Sequence, residues 1–420
     1  MKKLLLIFLF FNISMNMYSQ NTVSNLLIEG NKKTKSSLLK RLALVKPGTV
    51  LDTLVIDADI RRLKLLPSIA NATYKVVLDK EKTYNVVYNV EENFTIIPGL
   101  SIFTDNNDEF AYRLSLFEFN LLGQNQLIGG FYSKDVFDSY GAYWEAPYLF
   151  TRKLGVGVNY QNLVSQEPVF FENDNQVDYK FDTKAFETYL IYEHNFHNRF
   201  QLGVNLSKEN YTFLEGEVPN GFPTEIGANK TALIGEYEYN NINIDYQYKE
   251  GFRSLLNFRL VTGGNDLLRN FFIGRNDFEY FKKINKKGNW ASRLRLAFAS
   301  NDTTPFAPFA VDNQLNIRGA GNTIDRGTAA IVLNTEYRYT LYERNWFVLQ
   351  SNVFIDAGSW RNPGGNLSEL FNGSTVRFHP GAGIRFIHKR IFNAVFRLDY
   401  GYGIGDNTSR GIVFGIGQYF

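Results

Sequence analysis

Two carboxylates and one arginine in the last third of the chain, Glu336, Asp356 and Arg318, have the types and spacing of a functional cluster. Residues 330–342 and 352–358 each alternate apolar with polar side chains, which predicts two adjacent antiparallel strands. Glu336 and Asp356 then lie on one polar face, a few ångströms apart. Two carboxylates on an enclosed wall repel each other, so a cation is expected beside them. Arg318 lies in the loop ahead of the first strand, and its guanidinium can bridge both carboxylates.

The sequence has no pattern typical of an enzyme active site. Its histidines are scattered, and the two that are close together, His194 and His197, straddle a predicted turn instead of forming a metal pair. There is no nucleophile elbow and no phosphate-binding loop. We therefore predict a protein that is not an enzyme, that binds no metal and that needs no cofactor.

The composition favours a β-barrel in a membrane. Aromatic residues make up 16% of the chain, with 25 Tyr and 37 Phe, and cysteine is absent. Short alternating segments rich in aromatic residues are typical of outer-membrane barrels, which have an apolar outer wall, aromatic girdles and a polar lumen. A secreted β-sandwich or propeller is the alternative. The 45 Lys and Arg residues nearly balance the 42 Asp and Glu residues, which argues against a nucleic-acid partner.

Residues 1–19 have the pattern of a cleavable secretory signal peptide. Lys2 and Lys3 precede an apolar run over residues 4–11, and a polar stretch follows. The apolar run is too short to span a bilayer as an anchor helix, which is the alternative interpretation. We therefore expect export from the cytoplasm, with cleavage after Ser19.

Residues 20–93 mix helical and strand periodicity in the order β-α-α-β-β. Asp52 or Thr53 can cap the second helix, and Pro67 ends it. The predicted elements are strand 23–29, helices 36–44 and 53–66, and strands 72–78 and 85–90. This pattern predicts a small α/β domain ahead of the barrel.

From residue 94 to residue 420 we predict strands nearly end to end and no helix. The apolar centres number one too many for an even-stranded barrel, and merging those at Ile234 and Tyr246 gives sixteen strands, with both ends on the periplasmic side. Residues 242–249 show the clearest alternation. The polar segments 161–183 and 213–230 are expected to be extracellular loops. The prediction is mostly β, with a 16-stranded antiparallel transmembrane β-barrel.

Five short motifs occur in the order seen in the BamA-like superfamily of outer-membrane assembly and translocation proteins, and the chain resembles that family. The element order of residues 20–93 likewise resembles a POTRA (polypeptide-transport-associated) domain. Each motif is weak alone, but together they cover essentially all of the chain after the signal peptide. The motifs are Asn120-Leu-Leu-Gly123, Glu145-Ala-Pro147, Ile317-Arg-Gly319, Phe354-Ile-Asp-Ala-Gly358 and the terminal Phe420.

The resemblance implies a location and a set of partners. The barrel would lie among the lipids of the outer membrane, with the POTRA domain in the periplasm. Such domains bind extended polypeptide clients by adding a strand to a sheet edge. Accessory periplasmic or outer-membrane subunits would be further partners, and a spacer without a client is the alternative for this domain.

The resemblance also implies a lock inside the lumen. Arg318 and Gly319 would lie at the tip of an inserted loop, where Arg318 engages the strand that carries Asp356, with Glu336 nearby. Ala320 departs from the family, which usually has an aromatic residue there, so the loop is expected to be held less firmly. The alternative is that Arg318 only neutralises acidic residues of the lumen.

A weak seam between the first and last strands is the second predicted site. The first strand contains Pro98 and Gly99, and proline removes a hydrogen-bond donor from the ladder. The last strand contains Gly415 and ends near Phe420. The side chain of Phe420 is predicted to lie on the same face of the strand as its other apolar residues. A seam short of hydrogen bonds can open sideways and template a client strand. Glycines that only permit curvature are the alternative.

Three functions remain open from the sequence. The first is assistance to the insertion and assembly of outer-membrane proteins, through the POTRA domain and the seam. The second is a translocator that secretes a partner polypeptide through the lumen. The third is an accessory structural barrel, and a single POTRA domain favours a minor or accessory member of the family.

Overall fold

The computed structural model describes residues 21–104, 110–171, 176–301, 306, 309–310, 316–320, 326–405 and 409–420 of the 420-residue chain. The predicted signal peptide, residues 1–19, lies outside these residues. The described chain forms a small N-terminal unit followed by a closed antiparallel barrel, as the alternation of the sequence predicts.

The N-terminal unit comprises residues 22–92 and has the predicted β-α-α-β-β order. Its sheet has the order β1-β3-β2, with β1 parallel and β2 antiparallel to the central β3. Its second helix begins where Asp52 accepts a hydrogen bond from the backbone N–H of Leu54 at 2.8 Å, the expected N-cap. The elements are β1 (Thr22–Glu29), α1 (Ser36–Leu42), α2 (Thr53–Lys64), β2 (Ile69–Lys80) and β3 (Thr83–Glu92).

Apolar side chains from both helices pack on one face of this sheet and form a core of its own. The core includes Leu39 and Leu42 from α1, Ile56 and Leu63 from α2, and Val86 from β3, all buried. Burial of side chains of this size contributes about 1.5–3 kcal/mol each. The helices are amphipathic, and no described helix is long and apolar enough to cross a membrane.

In the described part of the chain the barrel wall has sixteen strands, which confirms the predicted number. Successive strands pair antiparallel, and β22 returns to lie beside β4. The strands are β4 (Ile96–Thr104), β5 (Phe110–Leu121), β6 (Gln126–Lys134), β7 (Asp138–Ala146), β8 (Leu154–Phe170), β9 (Gln176–Asn195), β10 (Asn198–Gly216), β11 (Glu225–Asn240), β13 (Tyr248–Thr262), β14 (Phe271–Ile284), β15 (Gly288–Ala299), β18 (Ala329–Arg344), β19 (Phe347–Arg361), β20 (Arg377–His388), β21 (Val395–Tyr402) and β22 (Arg410–Ile416). Three short strands accompany them: β12 (Asn243–Asp245), β16 (Phe309–Ala310) and β17 (Arg326–Gly327).

Side chains alternate between the two faces of the wall. On β18, Leu333 and Tyr339 are exposed on the outside, whereas Asn334, Glu336 and Arg338 are buried inside the barrel. The outer face is therefore apolar and the lumen polar, the arrangement required of a wall that lies in lipid. The fold explains why so many large apolar side chains remain exposed.

Three local predictions were wrong. Residues 242–249 are not a spanning strand: β12 pairs with the start of β13 around Tyr246, whose φ is 52°, and forms a short hairpin. A 3-10 helix (Leu367–Phe371) occurs between β19 and β20, where no helix was expected. The segments 161–183 and 213–230 are largely strand, because β8 to β11 extend beyond the rest of the wall as paired hairpins.

The N-terminal unit lies against one end of the barrel, which we call the proximal rim. This rim consists of the turns that join β5 to β6, β7 to β8, β9 to β10, β12 to β13, β14 to β15, β18 to β19 and β20 to β21. The chain enters the barrel at this rim, because Phe94 bonds to the turn between β20 and β21.

Candidate functional site

Arg318 lies in the lumen with no solvent-exposed surface. Its loop, of which residues 316–320 are described, reaches the inner face of β18 and β19. The Arg318 side chain donates from Nε to Asp356 Oδ2 at 2.8 Å and from Nη2 to Asp356 Oδ1 at 3.0 Å. Its backbone N–H donates to Asp356 Oδ2 at 2.9 Å. One carboxylate therefore holds both the side chain and the backbone of the loop tip.

Glu336 completes the bridge that the sequence predicts. Arg318 Nη1 donates to Glu336 Oε2 at 2.7 Å, and both side chains are fully buried. Glu336 does not lie directly opposite Asp356, because the register places Phe354 opposite Glu336 and Asn334 opposite Asp356. The two carboxylates are diagonal neighbours, and the guanidinium lies between them.

Two further arginines share Glu336. Arg338 donates from Nε to Glu336 Oε1 at 2.5 Å, and Arg385 donates from Nη2 to Glu336 Oε2 at 2.8 Å. The third acid of the cluster is Asp399, whose Oδ2 lies 3.6 Å from Arg318 Nη1 and 3.2 Å from Arg397 Nη1. Because all three acids are buried, the arginines offset a repulsion that would otherwise be severe in a low-dielectric interior.

Two aromatic rings pack against the Arg318 guanidinium. Its Cζ lies 3.5 Å from the ring centroid of Phe354 and 4.3 Å from that of Tyr419. Such stacking strengthens when the cation is desolvated. Phe354 comes from β19, and Tyr419 comes from the last residues of the chain, so the arginine joins the loop, the wall and the C-terminus.

Gly319 lets the loop approach the wall closely. Its φ is 88°, and a Cβ on Gly319 would lie 2.5 Å from the carbonyl oxygen of Gly401. A Cβ on Gly401 would in turn lie 2.0 Å from the carbonyl oxygen of Arg318. Two glycines face each other here because no side chain fits between the loop and β21.

Ala320 lies in a small apolar cluster at the base of the loop. It is buried with Ile317, Val332 and Trp360. Trp360 of β19 thus supplies an aromatic ring beside Ala320. The expectation that the loop is held less firmly at Ala320 stays untested.

The last residues of the chain turn into the lumen, which corrects the prediction for Phe420. The strand β22 ends at Ile416, and Gly417 has a φ of 89°. Phe420 then packs near Ile242 and Phe281, and its carbonyl oxygen accepts a hydrogen bond from Arg338 Nη2 at 3.2 Å. Phe420 therefore lies in the lumen and is not part of the seam, because the chain leaves the wall before reaching it.

The predicted seam residues Pro98 and Gly99 do lie in β4, beside β22. They pair with Leu116 and Ser115 of β5 on the other side. Gly415 lies in β22, where a Cβ would be 2.4 Å from the Arg397 guanidinium. Gly415 thus gives room to an arginine of the lumen cluster, a reason that the sequence analysis did not consider.

The N-terminal unit is attached to the proximal rim by polar contacts. Arg62 of α2 pairs with Glu193 of β9, and Glu193 also accepts from the Tyr148 hydroxyl at 3.0 Å. Tyr246 donates its hydroxyl to Glu91 at 2.6 Å on another side of the unit. Lys33 pairs with Glu118 of the barrel wall. The contacts come from the rim ends of β5 and β9 and from the turn between β12 and β13, so the unit covers the mouth of the barrel.

Glu92 fastens the end of β3 to the loop ahead of α1. Its carboxylate accepts from the backbone N–H of Lys33 at 2.9 Å and of Thr34 at 2.6 Å. Burial alone would raise the pKa of Glu92, but these hydrogen bonds outweigh it and hold the pKa below the usual carboxyl value. The anionic form is thus favoured in the folded unit.

Part of the cluster in the lumen is absent from the residues predicted from the sequence. These residues are Arg338, Arg385, Arg397, Asp399 and Tyr419. The four residues on strands could have been found, because a charged side chain on an alternating barrel strand has to face inward. Tyr419 lies beyond the end of β22, so the alternation of the strands does not predict its position. In the described part of the chain, no group of three or more His, Asp or Glu residues is placed to hold a metal ion.

Comparisons with known proteins agree with this architecture. Residues 21–93 match the POTRA family model, described as a surface antigen variable number repeat. BamA from Haemophilus ducreyi lacking POTRA domains 1–3 is similar in structure, with 18% identity and a TM-score of 0.58 over 94% of this chain and 83% of that chain. CdiB from Escherichia coli has 12% identity and a TM-score of 0.62, covering 94% and 75%.

CdiB from Acinetobacter baumannii gives a similar result, with 14% identity, a TM-score of 0.59, and coverage of 94% of this chain and 73% of that chain. No curated protein is significantly similar to this chain in sequence. At such identities the likeness establishes the shared fold, a β-barrel with a POTRA unit ahead of it.

Proposed function

We propose that this chain, which has the fold of a BamA-like barrel preceded by a POTRA domain, assists the insertion of other proteins into the outer membrane. In this proposal residues 20–93 are the periplasmic POTRA domain, residues 94–420 are the barrel, and residues 1–19 are removed on export. The proximal rim then faces the periplasm. Unfolded polypeptides are the clients, and accessory subunits of the periplasm or outer membrane are further partners.

The observation that carries this proposal is the short length of the two strands that meet at the seam. β22 has seven residues and β4 has nine, whereas β9 has twenty and β10 has nineteen. After Ile416 the chain leaves the wall. Because β22 has only seven residues, it can form fewer ladder hydrogen bonds with β4 than the long strands form with one another, and we propose that the barrel opens here.

The periplasmic end of the seam is bridged by other residues. The backbone N–H of Phe94 donates to the carbonyl of Arg390 at 2.8 Å, and the N–H of Phe392 donates to the carbonyl of Phe94 at 3.1 Å. The segment leading into β4 is therefore bonded to the turn between β20 and β21. These bonds have to break if the seam is to open from the periplasm.

The POTRA domain offers an edge for a client strand. The strand β2 pairs only with β3 among the described strands, and its residues Val76, Val77 and Leu78 are exposed. An exposed strand edge with apolar side chains can accept an extended polypeptide by strand addition. We propose that this edge receives the client before the seam does.

Arg318 acts as the lock of this device. It holds the loop tip to Asp356 and Glu336, and Tyr419 stacks on it. The C-terminal residues, and with them the end of β22, are thereby tied to the same buried cluster as the loop. Loss of the lock is expected to loosen the seam as well as the loop.

A disulfide across the periplasmic end of the seam tests the proposal. Cysteines replace Phe94 and Ile391, which form a backbone bridge, in a chain that has no other cysteine. The matched control places cysteines at Leu333 and Ala357, a directly opposed pair within the β18–β19 hairpin. Both variants are produced in cells depleted of the wild-type protein.

Under oxidising conditions the seam pair should lose outer-membrane protein assembly and regain it on reduction, whereas the control pair should retain activity throughout. Assembly is measured as the amount of folded outer-membrane proteins. Full activity of the oxidised seam pair would contradict the proposal.

A translocator that works through the lumen is the second candidate, and the likeness to CdiB favours it. The inserted loop and residues 417–420 occupy the lumen, so translocation would require both to move. Depletion separates the candidates. Broad loss of outer-membrane proteins supports insertion, loss of one exported protein supports translocation, and no export defect supports an accessory structural barrel.

A further inference from the structure

The turn between β14 and β15 carries a cluster of lysines beside a groove in the outer wall. Four lysines lie within six residues: Lys282, Lys283, Lys286 and Lys287. The groove has a volume of about 600 Å³ and is lined by Tyr280, Lys282, Lys283, Ile284, Asn285 and Trp290. This turn belongs to the proximal rim.

The groove faces outward, where lipid lies. Tyr280 and Trp290 are 49% and 43% exposed on the outer face, and Lys282 is directly opposite Trp290 in the ladder. Tyr339 of the neighbouring β18 is also exposed, which extends the row of aromatic residues. Such rows mark the boundary between acyl chains and headgroups in barrels of this type. The lysines thus lie at the level of the headgroups.

The indole of Trp290 is fixed in its orientation. Its Nε1 donates to the hydroxyl of Ser292 at 2.8 Å, and that hydroxyl also bonds to Thr335. The ring therefore forms a preformed wall of the groove. An ordered wall reduces the entropy lost when a ligand binds.

The positive charge of the groove is mostly uncompensated. Lys283 has a distant partner in Asp245, at 3.6 Å, but in the described part of the chain Lys282, Lys286 and Lys287 have no ion-pair partner. The sequence contains no acidic residue from 280 to 301. The preceding acids, Asp277 and Glu279, are buried on the inner face.

From this arrangement we infer a binding site for an anionic phospholipid of the leaflet at the proximal rim. The phosphate lies among Lys282, Lys286 and Lys287, and the glycerol and upper acyl chains pack between Tyr280 and Trp290. Basic grooves at the headgroup level are recognised sites for anionic lipids. A bound lipid would hold the side of the barrel that lies far from the seam.

Native mass spectrometry of the full mature chain tests this site. The protein in detergent is titrated with dioleoyl phosphatidylglycerol or with dioleoyl phosphatidylcholine, which share acyl chains and differ in net charge. The test variant replaces Lys282, Lys286 and Lys287 with Gln. The charge-matched control replaces three exposed POTRA lysines, Lys32, Lys35 and Lys40, with Gln.

The wild-type protein should bind phosphatidylglycerol more tightly than phosphatidylcholine. In the test variant the ratio of the two affinities should fall at least about fivefold, the effect of a single lysine at a membrane surface. The control variant should retain the wild-type ratio. Equal affinity of the wild-type protein for both lipids, or equal losses in the two variants, would overturn the proposal. Circular dichroism and heat-modified migration check that both variants are folded.

Two further measurements locate the ligand. Phosphatidylglycerol with brominated acyl chains should quench part of the tryptophan fluorescence of the wild-type protein. This quenching should be lost in Trp290→Phe. Inorganic phosphate that replaces chloride at equal ionic strength should not displace the lipid. Quenching that is unchanged in Trp290→Phe, or displacement by phosphate, would refute a lipid site at this groove.

Discussion

Arg318 and Asp356 are joined by three hydrogen bonds, two from the guanidinium and one from the backbone N–H of the arginine, with lengths of 2.8 to 3.0 Å. The pair is separated by 38 positions in the sequence and is fully buried. Because the carboxylate binds the backbone as well as the side chain, it fixes the loop tip itself and not only the charge. This relation supports the proposal of a lock, because simple neutralisation of the lumen would not require the backbone contact.

Replacement of either partner should destabilise the barrel by about 3–5 kcal/mol, the usual effect of leaving one buried charge without its partner. Arg318→Ala, Asp356→Ala and the double variant are compared by urea unfolding in lipid vesicles. We expect the double variant to be little worse than either single one, because both remove the same interaction.

Arg259→Ala is the matched control for this cycle. Arg259 is also a cation of the lumen, but it is half-exposed and pairs with Glu187 at 3.1 Å. Its loss should change the free energy of unfolding by less than about 1 kcal/mol. Additive effects of the Arg318 and Asp356 replacements would show that the two residues act separately.

Gly319→Ala should displace the loop without changing any charge. The new Cβ meets the backbone of Gly401, and the φ of 88° is strained for alanine by about 1–2 kcal/mol. We expect faster proteolysis of the loop and a lower unfolding midpoint. Gly373→Ala is the control, since a Cβ at Gly373 meets nothing within 4 Å. Equal stability of the two variants would show that the loop tip has room to adjust.

Tyr419→Ala should free the end of the chain from the lumen. Tyr419 stacks on Arg318, and its ring centroid also lies 4.9 Å from the Arg397 Cζ. A cysteine placed at Gln418 should react faster with a water-soluble maleimide in this variant than in the parent. Ile416→Ala, on the outer face, is the control and should leave the rate unchanged. An unchanged rate in Tyr419→Ala would mean that the contacts of Phe420 are enough to retain the tail.

The barrel and the inward placement of Glu336 and Asp356 could be predicted for the same physical reason. Lipid excludes charged side chains from the outer face, so the alternation of each strand assigns its residues to one side. That rule places Glu336 and Asp356 inside without any structure. It does not identify partners on strands that are distant in sequence, and Asp399 and Arg385 join the cluster only because the barrel closes.

The wrong predictions for residues 242–249 and for Phe420 arise because alternation does not show where a strand ends. Alternation is the same in a spanning strand and in a short hairpin, so residues 242–249 were assigned to the wall. Phe420 was placed outside because the parity of β22 was extended past Gly417, where a positive φ turns the chain. Glycine permits such a turn, but its presence alone does not predict one, since most of the other described glycines lie in ordinary strands.

Acid should loosen the POTRA loop that Glu92 holds. Because the pKa of Glu92 is lowered in the folded domain, its contribution to stability is complete above the ordinary carboxyl pKa and is lost as pH falls through the folded value. Amide exchange of Lys33 and Thr34, corrected for intrinsic rates, should rise between pH 6 and pH 3. In Glu92→Gln the corrected exchange should be fast and independent of pH. A pH dependence that persists in Glu92→Gln would assign it to another group.

The ion pair between Arg62 and Glu193 should decide how firmly the POTRA domain covers the barrel mouth. Both side chains are nearly buried, at 10% and 14% exposure, and Arg62 also donates to the carbonyl of Leu42 at 2.8 Å. Arg62→Ala leaves Glu193 buried without its cation, although the Tyr148 hydroxyl still donates to it.

We expect the loss of Arg62 to release the domain from the rim. Distances between spin labels on Leu54, in the POTRA domain, and Val353, in the wall, should become longer and more broadly distributed, as measured by double electron–electron resonance. Lys64→Ala, in the same helix, is the control and should keep the parent distribution. Because Arg62 also contacts Leu42 within the domain, circular dichroism must show intact helices in Arg62→Ala. A narrow, unchanged distance distribution in a folded Arg62→Ala variant would mean that the contacts of Lys33 and Tyr246 suffice to hold the domain in place.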